Sequence, residues 1–268
     1  MAFEDPPLDI EVVTVSVKDG GVPLGFLKLV HNRSRESSLL KSKTEFITLA
    51  SHQLRTPLTH VTWALETIGK EEGLPPTAVA LLENATRAAS QLREIIDDLL
   101  SVAKIEDGKF GYEFQDTDLT ALLRQFVGDI APRAQAVGVT LVFEEPQDAI
   151  PSLSLDPQRF MMVVNNLTDN AIRYNIEHGE VRIRVNPPRD GFVEITIADT
   201  GIGIPAEDIP NLFGKFFRAS NAQKLLTEGS GLGLYIVSNI VRAHGGHITV
   251  ESELQRGTTF HIVLPVDA

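Results

Sequence analysis

Cysteine is absent from this sequence, and so is any long apolar run. Without cysteine there are no disulfides, no thiol nucleophile and no cysteine metal site. No apolar stretch approaches the roughly 18 residues of a membrane-spanning helix. Met1–Pro7 also lacks the basic start and apolar core of a signal peptide. The expectation is a soluble chain, or the soluble part of a longer one. Positive charge is scarce: 24 Lys and Arg stand against 36 Asp and Glu, a net charge of −12. Nucleic acid as a bulk partner needs a basic footprint and is excluded on that ground. A nucleotide held in a local pocket is not. What is present is ordinary for a globular protein, 43% apolar and 22% charged, and 268 residues suffice for two modest cores.

Leu8 to Val30 reads as a β-hairpin, with valine-rich Ile10 to Val17, a turn at Asp19-Gly20-Gly21 and a return strand from Leu24. A long helix then opens in the charged stretch Asn32 to Glu36 and runs to about Lys70. Along it Ile47, Leu54, Val61 and Ile68 recur every seven residues, with Leu58 and Leu65 in the alternate seam positions. His52 lies five residues past Ile47, roughly 140° from that seam, so its imidazole points outward. On its own this is either a surface histidine or a functional one. Pro57, inside the run, removes a backbone donor and predicts a kink just after the histidine. After the breakers Glu71 to Pro76, a second helix is expected from near Thr77 to about Ile105. Its stripe, Leu82, Ala85, Ala89, Leu92, Ile96, Leu99 and Ala103, is widened by a row at Leu81, Ala88, Ile95 and Val102. One hairpin cannot bury both stripes. Two copies can, which predicts a homodimer built as an antiparallel four-helix bundle.

Beyond Asp107 to Gly111 the pattern alternates helices and strands. Helices are expected over Asp118 to Val137 with a bend at Pro132, from the Asp156-Pro157 start to about Tyr174, and from Gly233 to His244 with Gly245 as cap. Strands are expected at Val139 to Phe143, Leu153 to Leu155, Val181 to Val185, Val193 to Ile197, Ile248 to Val250 and Thr258 to Leu264. Antiparallel strands with helices on one face make an α+β sandwich. The chain is thus multidomain: a β-hairpin over 1–32, an all-α hairpin over 33–110 and an α+β domain over 111–268.

Three clusters in the third region carry chemistry. Asn166, Asn170 and Arg173 share one helix face, about 125° from the apolar face of Phe160, Val164, Leu167 and Ala171. Either this is a plain solvated face, or a carboxamide oxygen ligates Mg²⁺ beside an arginine that faces phosphate. Asp199-Thr200-Gly201-Ile202-Gly203 follows a strand. Either it is a glycine-rich turn, or Asp199 accepts an exocyclic amine such as adenine's. Glu228 to Leu234 leads into a helix whose first N–H groups can bind anions, although it is neither a Rossmann fingerprint nor a Walker loop. Between the two glycine clusters, Asn211 to Arg218 is an irregular loop or a lid whose Lys215 and Arg218 reach phosphate.

Together and in this order, these blocks resemble the sensor histidine kinases of two-component signalling. Ser51-His52-Gln53-Leu54-Arg55-Thr56-Pro57-Leu58 looks like the family's H box, and Asn166 to Tyr174 like its N box. Asp199 to Gly203 resembles the first glycine box, Phe213 to Arg218 the phenylalanine box and Gly229 to Gly233 the second glycine box. The likeness covers roughly residues 35 to 267, and the third domain would then have the Bergerat-type ATP-binding fold. The N-terminal hairpin resembles the tail of a PAS sensor domain. The resemblance implies His52 as phosphoacceptor and Asn170 as the Mg²⁺ ligand. It implies phosphate-side contacts from Asn166, Arg173 and Tyr174, with Lys215 and Arg218 in the lid. Asp199 would read the adenine of ATP, while Gly201, Gly203, Gly229, Ser230, Gly231, Leu232 and Gly233 would shape the pocket and lid. A response-regulator receiver domain would be the partner. The location would be cytoplasmic, either as a whole protein or as part of a longer membrane kinase.

One position departs from the pattern. The family usually has a carboxylate directly after the histidine, and here that residue is Gln53. Its amide can orient the imidazole but cannot take a proton at neutral pH. Autophosphorylation at a reduced rate is expected, with a kinase-weak dimeric scaffold or phosphatase as the alternative. Thr56 matches the position that orients water for partner dephosphorylation. Other ATPases share the nucleotide-binding fold, among them heat-shock chaperone and mismatch-repair relatives, but they lack the His52 hairpin.

Overall fold

The computed structural model describes residues 10–19, 22–32, 34–71, 73–146, 149–225 and 229–266, with residues 19, 22–24 and 34–46 described by backbone alone. Leu8, the Gly20-Gly21 turn, Glu72 and Glu228 lie outside the described residues. Strand β1 (Ile10–Asp19) pairs antiparallel with β2 (Val22–Asn32), placing Val13 opposite Leu29 and Val15 opposite Leu27. The two strands form a sheet of their own.

Helix α1 (Ser34–Ile68) runs through Pro57 without ending there. The proline still has a local effect, because the carbonyl four residues back, that of Gln53, loses its helical donor. Helix α2 (Pro76–Glu106) starts one residue earlier than expected. Pro76 stands at its first position, where a missing N–H costs nothing, and Pro75 is the extended N-cap. The expected seam divides in two. Leu58 is buried with Ala89, Ile96 and Leu100, and Leu65 packs beside them, so these residues hold α1 to α2. Leu54, Val61 and Ile68 remain exposed on α1, as do Leu81 and Leu92 on α2. Arg55 of α1 forms an ion pair with Asp97 of α2.

The rest of the chain is a sheet covered on one face by helices. Its elements in order are β3 (Gln115–Thr117), α3 (Leu119–Ala136), β4 (Thr140–Glu144), β5 (Leu153–Leu155), α4 (Pro157–Arg173), β6 (Glu180–Val185), β7 (Phe192–Asp199), α5 (Ser220–Leu225), α6 (Gly233–Ala243), β8 (His247–Glu253) and β9 (Gly257–Pro265). The main sheet has the order β4-β6-β7-β9-β8. The expectation of antiparallel strands holds for three of its pairings and fails for one: β4 runs parallel to β6. The chain between β4 and β6 carries α4 across the sheet, and a crossover helix of that kind permits a parallel pair. Strands β3 and β5 form a separate small ladder. Neither β3 nor α5 is expected from the pattern, since three and six residues are too few to show a period.

Alternation orients the main sheet. Val181, Ile183, Val185, Val193, Ile195 and Ile197 are buried against α4 and α6. The other face is polar, with Arg182 and Arg184 on Glu144 and His261 on Glu194. Asp156 locks the start of α4: its Oδ1 accepts the Arg159 N–H at 2.9 Å and its Oδ2 accepts the Glu113 N–H at 2.9 Å. The Asp156 N–H donates in turn to Nε2 of buried His244 at 3.0 Å. His244 Nδ1 lies 2.8 Å from the Ile240 carbonyl, so the neutral Nδ1–H tautomer satisfies both partners. This links the start of α4 to the end of α6, the two helices that carry the site.

Candidate nucleotide and phosphotransfer site

A cavity of about 620 Å³ opens between α4, the ends of β7 and β9, the loop before α6, and α2. Helix α4 meets it with Asn166, Asn170 and Arg173, followed by its C-cap Tyr174. The opposite face of α4, with Phe160, Val164, Leu167 and Ala171, is buried in the core. That amphipathic split fixes the rotation of the helix and so aims the amides into the cavity. Asn170 Nδ2 donates to Asn166 Oδ1 at 3.3 Å, which leaves Asn170 Oδ1 for another partner. That is a hard, neutral oxygen of the kind Mg²⁺ accepts, so this residue fits the expected metal.

Asp199, at the end of β7, lines the cavity floor. Its Oδ1 accepts N–H groups from Gly201 at 2.8 Å and Thr258 at 3.2 Å. Burial raises its carboxyl to about 6 despite these two donors. The Oδ1 engagement leaves Oδ2 to accept from a ligand, as an exocyclic amine requires. Gly203 also lines the cavity, at φ 65°, where an added Cβ would stand 2.0 Å from the Glu253 carbonyl oxygen. Gly201 does not line it. Its place is set by the Tyr174 carbonyl, 2.3 Å from where a Cβ would be.

Gly229, Ser230, Gly231 and Gly233 line the side nearest α6, whereas the Leu232 side chain is fully buried in the core. Arg218 lines the cavity too. Lys215 does not: its ammonium forms an ion pair with Glu106 of α2 and lies 5.0 Å from the Tyr235 ring centre. In this arrangement the Lys215 cation, expected at the phosphates, is held by a carboxylate of α2 and does not line the pocket.

His52, Gln53 and Thr56 lie outside the cavity, exposed on α1. The Thr56 hydroxyl is 3.5 Å from the His52 carbonyl oxygen, one turn back. What the sequence reading missed is the outer wall of the cavity, made by Arg87, Gln91, Glu94, Ile95 and Asp98 of α2. The Asp98 carboxylate accepts the Ser230 hydroxyl at 2.6 Å. These residues carry no local signature, and only the docking of two separate elements makes them part of the site. Asp169 and Arg133, 2.9 Å apart at the cavity edge, were missed for the same reason.

Two protein-family models match the chain: "His Kinase A (phospho-acceptor) domain" over residues 42–108, and "Histidine kinase-, DNA gyrase B-, and HSP90-like ATPase" over 155–268. The adaptive-response sensory kinase SasA of Synechococcus sp. (strain JA-3-3Ab) is 33% identical over 241 residues, covering 89% of this chain and 63% of that protein. SasA of Nostoc sp. is 32% identical over 270 residues, covering 97% of this chain and 67% of the relative. The chain thus spans about two thirds of the length of these relatives, and only 26% of the Escherichia coli kinase BarA, with which it shares 34% identity. Among solved structures, full-length ShkA in complex with AMPPNP superposes with a TM-score of 0.68 at 26% identity, covering 82% of this chain and 45% of ShkA. The catalytic domain of the histidine kinase ThkA matches with a TM-score of 0.50 at 27% identity, covering 58% of this chain and 97% of that domain. A phosphoacceptor domain followed by an ATPase domain, with a kinase relative 32% identical over 97% of the chain, places it: the chain belongs to the sensor histidine kinase family of two-component systems.

Proposed function

We propose that this chain phosphorylates itself on His52 from ATP and passes the phosphoryl group to an aspartate of a response-regulator receiver domain. The observation that carries the reading is the convergence of Asn170, Arg173, Asp199, Arg218 and the glycine loop on one cavity whose outer wall is the histidine-bearing hairpin. Asp199 Oδ2 accepts the adenine amine. Arg173, Arg218 and the N–H groups at the start of α6 face the phosphates. Asn170, with Asn166 behind it, holds Mg²⁺, which when bound offsets phosphate charge. In the transfer a His52 ring nitrogen attacks the γ-phosphorus, the bond to the bridging oxygen breaks, and ADP leaves with that electron pair. The other ring nitrogen gives up its proton to water or to a nucleotide phosphate, since the Gln53 amide cannot take it. Such chemistry depends mainly on positioning and charge neutralisation. Since His52 does not line the cavity, the catalytic domain must move along the hairpin or receive the histidine of a second copy.

The exposed Leu54, Val61 and Ile68 row supports a homodimer through the helical hairpins. Thr56, on the face of His52, positions water for dephosphorylating the regulator. Gln53 favours the second reading, a chain whose phosphatase or scaffold role outweighs a weak kinase. The apolar β1–β2 sheet would be the end of a PAS-like sensor module. Among the described residues no helix is long and apolar enough to cross a membrane. Incubation with γ-labelled ATP tests the whole reading. Acid-labile, base-stable label that His52→Ala abolishes is expected. Nucleotide turnover without label would instead indicate an ATPase of the chaperone or mismatch-repair kind.

A further inference from the structure

Two carboxylates of α2 occupy groups that a nucleotide phosphate would use. Asp98 takes the hydroxyl of Ser230, at 2.6 Å, inside the cavity. Eight residues further along the helix, about 12 Å away, Glu106 takes the ammonium of Lys215 outside it. Ser230 stands between Gly229 and Gly231 in the loop that leads into α6, where the amide dipoles favour an anion. The anion found beside that loop is a side chain of the same polypeptide. Its surroundings do not favour a charge. Burial pushes the Asp98 carboxyl up, the Ser230 hydroxyl pulls it down, and Glu94 and Asp97 push it up again. In the cavity wall α2 sets two carboxylates, Glu94 and Asp98, against one cation, Arg87, so its side of the pocket is net negative.

We propose that Asp98 acts as a phosphate mimic: by holding Ser230 and setting a negative charge against the nucleotide's phosphates, it makes the helical hairpin a competitor of ATP for the glycine loop. The inference rests on the nucleotide reading above. By linkage, each phosphate that enters the pocket weakens the docking of α2, and each docking contact weakens nucleotide binding by the same factor. The repulsion is electrostatic, so it grows with phosphate number and shrinks with salt.

Equilibrium binding of adenosine, ADP and ATP to the full chain, in EDTA, tests this. Asp98→Asn keeps an acceptor oxygen for Ser230 and removes only the charge. The expected result is a gain of about tenfold for ATP, a smaller gain for ADP and none for adenosine, with the ATP gain reduced at high salt. Glu106→Gln, which frees the second tether outside the cavity, is expected to follow the same order with smaller factors. Equal gains for all three ligands would mean simple loosening and would overturn the proposal, as would unchanged or weaker ATP binding. Failure of the parent chain to bind even adenosine would remove the nucleotide reading itself.

Discussion

Asn166 of α4 and Gly233 at the start of α6 lie in contact, so close that a Cβ on Gly233 would stand 2.4 Å from Asn166 Nδ2. The missing side chain lets the phosphate end of α6 approach the metal-side amides of α4. Gly233→Ala would force Asn166 to turn and would break its pairing with Asn170. Gly233 is the first residue of α6 and the added methyl meets only the end of the Asn166 side chain, which can turn away, so the fold should hold. The expected outcome is ATP affinity reduced by tenfold or more with the melting temperature within a few degrees of the parent. Calorimetric titration and a thermal melt on the same sample check both halves.

Asp199 ties nucleotide binding to pH. Its carboxyl is raised to about 6 by burial, so the folded state takes up a proton between its ordinary value near 4 and that point. The sign follows: stability declines as pH rises through that window, and ionised Asp199 costs about 3 kcal/mol at neutral pH by the size of the shift. Ionisation is what the adenine amine needs. ATP affinity should therefore fall as pH drops from 7.5 to 5.5, while the parent protein grows more resistant to urea. Asp199→Asn should be more stable than the parent at pH 7 and lose ATP binding, since its amide turns a donor toward the adenine amine. A variant that still binds ATP tightly would remove Asp199 from the adenine site.

Why some of this was legible in the sequence and some was not follows from the range of each interaction. The face of α4 shows in the sequence because a helix repeats every 3.6 residues, so Asn166, Asn170 and Arg173 separate from Phe160 and Leu167 by periodicity alone. The Asp156 cap is legible for the same reason: it acts on residues two or three further on. Docking is different. Asp98 meets Ser230 across 132 residues, and Lys215 meets Glu106 across 109. No local pattern records such a pair, which is why Lys215 was expected at the phosphates. The parallel β4–β6 pairing was missed because strand direction depends on the connection and not on the residues of the strand.

The divided seam of the hairpin makes a prediction about assembly. Leu58 and Leu65 are used within the hairpin, whereas Leu54 and Val61 are about half exposed with no partner element among the described residues. If they form the interface between two copies, Leu54→Glu with Val61→Glu should give a monomer that keeps its helix content. Sedimentation velocity at micromolar concentration reads this directly. A persistent dimer would move the interface elsewhere.

Thr56 carries the prediction for the reverse reaction. Its hydroxyl is only at the limit of hydrogen-bond distance from the His52 carbonyl, so it is free to bind water beside a docked regulator. Thr56→Ala is expected to autophosphorylate at the parent's rate and to lose most dephosphorylation of the phosphorylated regulator. Retained phosphatase activity would refute the assignment.

Gln53 is the position where sequence and mechanism disagree most, and it is exposed beside the acceptor. The imidazole must lose a proton as it gains phosphorus, and a neutral amide cannot take it. Pro57 adds to this, since it leaves the Gln53 carbonyl without its helical donor, free for water. That supports a slow reaction with water or a nucleotide phosphate as base. Gln53→Glu is expected to raise the initial rate of His52 labelling by at least tenfold at pH 7.5, the low end of what a positioned base contributes. The gain should vanish as pH falls through the ordinary glutamate value near 4.3, where the new carboxylate is protonated. Because the substitution leaves the nucleotide cavity untouched, ATP affinity should not change, and the effect should lie in kcat alone. Equal rates for the two proteins across the pH range would show that the missing carboxylate is not what limits this kinase.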